Sequence, residues 1–288
     1  MKQPMKIAFP LMAAFTCISH ADDLDYGVSK AEWFSYGSLD ASDRSHELQM
    51  QQWRMQTPFS QPIKLADSFY LMPAIRYEII DFEGVNPEKR AFQDELHMVE
   101  LPLLFVYKPG ESPWNYNARL SPGISSDMHS ISMDDVFCDA RLGATYQVND
   151  RLNINFGISY TRAIGEPQIF PYLGFVYEMN DQWQFAWRGF SLEARCHLSE
   201  SWIFRLKSEA AGGYWNIDTP SSDYLTLQRY RMGFTLEHEV QDDLWVIAGA
   251  GYTLANEASW LNASGDTLRD TEYDNGFYFN LGLRLRDW

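Results

Sequence analysis

Every second residue from Val136 to Val148 is apolar: Val136, Cys138, Ala140, Leu142, Ala144, Tyr146 and Val148. The residues between them are mostly polar or small, so a period of two puts the two sets on opposite faces of a strand. After Asn149-Asp150 the pattern resumes with Leu152, Ile154, Phe156, Ile158 and Tyr160 against Arg151, Asn153, Asn155, Gly157, Ser159 and Thr161. Two one-sided strands joined by a two-residue polar turn form a hairpin with one greasy face, and that face must meet a core or hydrocarbon.

The N-terminus narrows the choice. Lys2 and Lys6 precede an apolar run from Ile7 to Ile18, and Ser19-His20-Ala21 leads into an acidic stretch from Asp22. This reads as an export signal cleaved after Ala21. A spanning helix needs about 20 apolar residues, more than this Pro10-interrupted run supplies, and no later stretch is long and apolar enough. Thr16 and Phe15 before Cys17 argue against lipoprotein processing. Hydrophobicity in the mature chain is therefore carried by strands. The mean hydropathy of −0.35 and 15% aromatic content suit a thin apolar face rich in Trp and Tyr. The expected fold is all-β, an antiparallel up-and-down transmembrane β-barrel in the outer membrane, with a signal peptide at 1–21, an irregular acidic segment at 22–44 and the barrel at 45–288.

Strands are expected at about 46–55, 68–79, 95–107, 114–125, 134–148, 151–162, 169–178, 182–198, 201–212, 224–240, 244–255 and 275–286. That is about twelve, within a range of 10 to 14. The 182–198 segment is interrupted at Arg188-Gly189 and reads as one bulged strand or two short ones. Asn149-Asp150, Asn180-Asp181, Ser199-Glu200 and Gln241-Asp242-Asp243 make short turns, expected on the periplasmic side. Links 126–133, 213–223 and 256–274 are expected as long outer loops. Trp183 and Trp202 lie just inside short turns and Tyr146 just before one, as a membrane-interface girdle requires. The last strand alternates Phe277, Phe279, Leu281, Leu283 and Leu285 against polar neighbours. It ends at Trp288, an aromatic terminus of the kind the barrel-assembly machinery reads, although Trp288 falls on the Arg284 face.

The polar faces carry the candidate lumen residues: Arg119, Asp139, Arg141, Arg151, Glu193, Arg195, Arg205, Lys207, Glu209, Arg229, Arg231, Glu237, Arg284 and Arg286. They either line a hydrated pore or neutralise one another in a plugged interior, and about twelve strands are narrow enough for the latter. Cys138 and Cys196 both fall on the greasy face, as small apolar side chains or as a disulfide if the sheet brings them together.

Leu101-Pro102-Leu103, Pro122-Gly123-Ile124-Ser125-Ser126-Asp127 and Pro171-Tyr172-Leu173-Gly174, in a frame over about residues 40 to 286, resemble a widespread family of bacterial outer-membrane β-barrels known as a domain of unknown function. The resemblance implies fold and location and transfers no activity.

Chemistry is sparse. His129-Ser130 near Asp127, Asp134 and Asp135 is the one local combination of base and hydroxyl, but neighbours on a strand point apart, and the segment reads first as a solvated loop. No Gly-x-Ser-x-Gly, Cys-x-x-Cys or His-Glu-x-x-His run occurs. No cofactor or metal is expected. The formal charge of −16 disfavours nucleic acid. Expected partners are outer-membrane lipids, lipopolysaccharide and the assembly machinery. The expected role is non-enzymatic, structural or a narrow passive channel for small hydrophilic solutes. The alternatives are a lipid-modifying enzyme or a soluble periplasmic β-rich binder.

Overall fold

The computed structural model describes residues 28–42, 47–83, 95–219 and 222–286. The signal segment and Trp288 lie outside these residues. Fourteen antiparallel strands close into a barrel. In chain order they are β1 (Val28–Tyr36, continued by Leu39–Asp40), β2 (Glu47–Pro58 and Ile63–Ala66), β3 (Phe69–Glu83), β4 (Glu95–Glu100 and Leu103–Tyr107) and β5 (Trp114–Ser126). Next come β6 (Val136–Asn149), β7 (Leu152–Thr161), β8 (Gln168–Glu178), β9 (Trp183–Arg188) and β10 (Ser191–Ser199). The last four are β11 (Trp202–Ala210 and Gly213–Thr219), β12 (Ser222–Gln241), β13 (Leu244–Leu261) and β14 (Thr267–Tyr273 and Gly276–Arg286). Each strand pairs with its chain neighbours, and β14 returns to β1 in register from Val28 against Arg286 to Tyr36 against Tyr278. The wall therefore has no open edge.

Along the lower part, toward the short turns, the outer face is apolar. Leu142, Ile154, Phe156, Leu281 and Leu283 are 60, 41, 37, 53 and 51% exposed. A sandwich or soluble barrel would have buried this set, so the soluble-binder alternative loses its basis. Tyr146, Trp183 and Trp202 sit at the lower rim of this band. Tyr146 packs on Trp114 with ring centroids 4.8 Å apart, Trp183 stacks on Phe185 at 6.0 Å and Trp202 on His238 at 4.1 Å.

Farther up, the polarity turns inside out while the period of two continues. On β2 the inward track runs Leu48, Met50, Gln52, Arg54, Gln56, and the outward track runs Gln49, Gln51, Trp53, Met55. On β3 the inward track passes from Arg76 and Glu78 to Ile80 and Phe82; on β12 it passes from Arg231 and Arg229 to Leu227 and Leu225. The inward apolar residues meet in one core that includes Tyr36, Leu39, Ile80, Leu96, Trp215, Leu225 and Trp260. A barrel with an apolar interior and a more polar outer face is thus stacked on one with a polar interior and an apolar outer face. β12, with 20 residues, is about 66 Å long at about 3.3 Å per residue. Tilted at about 45° it rises about 47 Å, well beyond an apolar band about 25 Å tall.

The upper storey is also narrower. Above Ala210, β11 leaves β10, and Asn216 pairs in parallel with Ser126 of β5. Asp127 N donates to Asn216 O at 3.2 Å and Ser125 Oγ to Tyr214 O at 2.7 Å. This shortcut excludes β6–β10 and closes a ring of nine strands, β1–β5 and β11–β14, around the apolar core. The excluded strands are short where β9 and β10 turn at Arg188-Gly189-Phe190-Ser191; Gly189, at φ 58°, takes the left-handed conformation that side chains disfavour.

Several expectations are corrected. The 182–198 segment is two strands, and residues 28–36, expected in an irregular segment, form a wall strand; together these raise twelve to fourteen. The expected long links 213–223 and 256–274 are largely upper-storey strand. Cys138 and Cys196 are unbridged thiols on β6 and β10. Three intervening strands separate these walls by about 19 Å along the sheet, beyond the roughly 7 Å Cα reach of a disulfide.

Candidate functional site: the charged lumen

Inside the lower storey, alternation aims the polar face of every strand at the axis. In the first of two tiers, Glu193 on β10 receives Arg195 at 3.2 Å, Arg205 of β11 at 3.2 Å and Arg188 of β9 at 4.0 Å. Arg205 also reaches Glu237 of β12 through Nε at 2.9 Å, and Arg284 of β14 reaches the other oxygen of Glu237 at 2.7 Å. Lys30 lies 2.8 Å from Glu32 on β1. One chain of ion pairs thus links β9 to β12 and β14.

A second tier lies under the apolar core. Glu78 of β3 receives Arg54 of β2 and Arg76, each at 3.2 Å; Arg76 approaches Glu100 of β4 at 3.6 Å. Across the lumen, Glu209 of β11 holds Lys207 at 2.7 Å and is bridged by Arg231 of β12. Arg231 donates to Tyr36 Oη at 2.9 Å and to Gln52 Oε1 at 3.2 Å, and Arg229 donates to the same Gln52 oxygen at 3.3 Å. The two guanidiniums stack upward, Arg231 on Phe34 at 4.3 Å and Arg229 on Tyr36 at 4.6 Å. Their charged edges face the lumen tier and their flat faces meet the core.

On the wide side, Arg119 of β5 and Arg141 of β6 are in register, both buried, with Arg141 over Tyr172 at 4.9 Å. Asp139 accepts from Thr161 Oγ1 at 3.2 Å and lies 3.6 Å from Arg162, whose guanidinium covers Phe137 at 3.4 Å. Where this lobe meets the second tier and the β11 break, a cavity of about 60 Å³ is lined by Arg54, Arg76, Glu100, Arg162 and Gly212. That holds about two waters.

Residues 42–286 match the family model described as "Domain of unknown function (DUF6268)". The chain belongs to that family. The DUF6268 match begins just after β1. No curated protein matches the chain. Solved structures with a similar trace include an outer membrane channel from Pseudomonas putida F1, at TM-score 0.45 and 11% identity, covering 92% of this chain and 98% of that one. The P. putida toluene transporter TodX gives TM-score 0.44 and 8% identity, covering 90% and 89%. A Pseudomonas aeruginosa FadL homologue gives 0.42 and 10%, covering 91% and 89%.

In this DUF6268 barrel, Arg119, Asp139, Arg141, Glu193, Arg195, Arg205, Lys207, Glu209, Arg229, Arg231, Glu237 and Arg284 are gathered in the interior. Arg151 is not. It stands exposed in the β6–β7 turn, where Nη1 reaches the Met179 carbonyl at 3.4 Å, because the strand begins one residue later. The Arg286 side chain lies outside the described residues. Sequence reasoning missed Lys30, Glu32, Arg54, Arg76, Glu78, Glu100, Arg162 and Arg188. Arg54 and Glu78 were readable from parity alone, since they alternate with Trp53, Met55 and Ile79. His129 is exposed on the β5–β6 loop with Nδ1 3.5 Å from Asp127 Oδ2, longer than a good hydrogen bond. Among the described residues no cluster of three or more His, Cys, Asp or Glu is placed to hold a metal.

Proposed function

We propose that the chain is a non-enzymatic integral protein of the outer membrane, with its short turns in the periplasm and its interior closed to diffusion along the axis. The observation that carries this reading is the apolar core of the nine-stranded storey. Trp215 at 1% exposure, with Leu39, Ile80 and Leu225 equally buried, fills the cross-section above the charged tiers. A hydrated solute leaving upward would have to displace a packed interior. Of the two expected roles, the geometry favours the structural one over the through-channel. Lipids and lipopolysaccharide surround the apolar band in this reading, and the assembly machinery inserts the strands.

Planar-bilayer recording of the purified, folded protein tests the proposal. Silence across voltages is the expected result, in a sample whose folded band migrates faster than its heated band. Steady single-channel steps would overturn the closed axis. Unchanged lipid hydrolysis between the protein and a Ser130→Ala variant is the matching result for a non-enzymatic role.

A further inference from the structure

The whole chain carries a formal charge of −16, yet its interior is cationic. Among the inward-facing side chains named above, thirteen are Lys or Arg and seven are Glu or Asp. The lower tier shares in the excess, with Lys30, Arg188, Arg195, Arg205 and Arg284 meeting three carboxylates. There the charges are also layered by depth. Side chains of Arg195, Lys30, Arg205 and Arg284 are 24, 20, 16 and 14% exposed, against 7% for Glu193 and Glu32 and 3% for Glu237. The carboxylates lie against the wall and the cations stand between them and water. Low-dielectric walls around charges of one sign focus the field and concentrate counter-ions, and rings of Arg and Lys select anions and phosphates.

We infer that the lower half of the lumen is an anion-binding vestibule, open to the periplasm, that takes small solutes bearing two or more carboxylate or phosphate charges. This rests on the proposed reading of the barrel as an outer-membrane protein closed above, and adds that its periplasmic end is open. The arginines suit such ligands because a guanidinium presents five N–H donors in a planar fork that matches carboxylate and phosphate oxygens. The apolar core of the upper storey blocks onward passage, so the vestibule captures anions rather than conducting them.

Trp245 reports on this space. It faces inward on β13, opposite Arg284, whose guanidinium covers its ring at 4.9 Å. Its fluorescence is isolated by subtracting a Trp245→Phe variant, using the full-length mature protein in neutral detergent. A potential of about one kT enriches a monovalent anion about threefold, so iodide should quench Trp245 about threefold more steeply than in a Lys30→Gln/Arg195→Gln variant. Citrate, added at constant ionic strength, should suppress that quenching in the parent protein and do little in the variant. Neither substituted residue is a register partner of Trp245, and heat-modifiable mobility verifies that the variant folds. Equal quenching in parent and variant, or quenching that citrate leaves unchanged, would overturn the inference. If neutral acrylamide cannot reach Trp245, the vestibule is closed and the inference falls while the barrel stands. If no fast-migrating folded band exists, the barrel reading itself falls.

Discussion

Glu237→Gln probes whether the lumen is an interlocked interior or a solvated pore. The Glu237 side chain is 3% exposed and its two oxygens hold Arg205 at 2.9 Å and Arg284 at 2.7 Å. Glutamine preserves the shape, keeps one acceptor and turns the other oxygen into a donor that faces a guanidinium. Removing one partner of a buried ion pair costs about 3–5 kcal/mol, because the remaining charge stays desolvated. Two features place this case at the lower end. Arg205 keeps Glu193 at 3.2 Å, and Arg284 is 14% exposed and can turn toward water. The expected loss is therefore about 3 kcal/mol, roughly a 150-fold change in the folded-to-unfolded ratio. Urea unfolding in lipid vesicles, followed by Trp fluorescence and by the folded band on a gel, measures it. A loss below about 1 kcal/mol, the range of solvent-exposed pairs, would refute the reasoning and indicate a water-filled lumen.

Other positions separate the two storeys. Leu281→Arg, on the outward face of β14, should cost about 2–4 kcal/mol in vesicles, the penalty for a charge near the bilayer midplane; a cost within about 0.5 kcal/mol would mean that face meets water. Trp215→Ala, in the upper core, should cost about 3–5 kcal/mol by the same assay, as for other buried Trp truncations, and a neutral result would mean that core is not packed. Cys138 and Cys196 should both titrate as thiols after denaturation of air-oxidised protein, with no reductant-dependent change in gel mobility; loss of both thiols would mean the strand order is wrong.

The lower storey was legible because polar-in and apolar-out alternation is sustained over whole strands, as in β6, β7 and β14. The upper storey was not, because alternation there persists with its sign reversed. A strand that crosses the boundary is apolar on neither face throughout. β1 illustrates this. Its inward track reads Val28, Lys30, Glu32, Phe34, Tyr36, charged below and aromatic above, and its outward track holds only Ala31 and Trp33 as apolar residues. No single-face rule identifies such a strand, so from sequence it reads as irregular. The upper parts of β13 and β14 failed for the same reason, helped by the kink at Ala255, which has φ 51°. The lumen candidates came from parity within recognised strands, so residues on unrecognised β1 were lost. Arg188 was lost because its strand ends one residue before a glycine turn. The shortcut from Asn216 to Ser126 joins residues 90 apart in sequence, and no local pattern announces it.

The inside-out switch in polarity is tested most directly along one face of one strand. Spin labels placed singly at Gln49, Gln51, Trp53 and Met55 of β2, in a Cys138→Ala/Cys196→Ala background reconstituted in lipid vesicles, sample the same outward track across the boundary. Relaxation by oxygen, which concentrates in hydrocarbon, should dominate at Trp53 and Met55, and relaxation by a water-soluble nickel chelate at Gln49 and Gln51. Oxygen dominance at all four sites would mean the strand lies wholly in the bilayer, and chelate dominance at all four would mean it never enters; either would contradict the two-storey barrel.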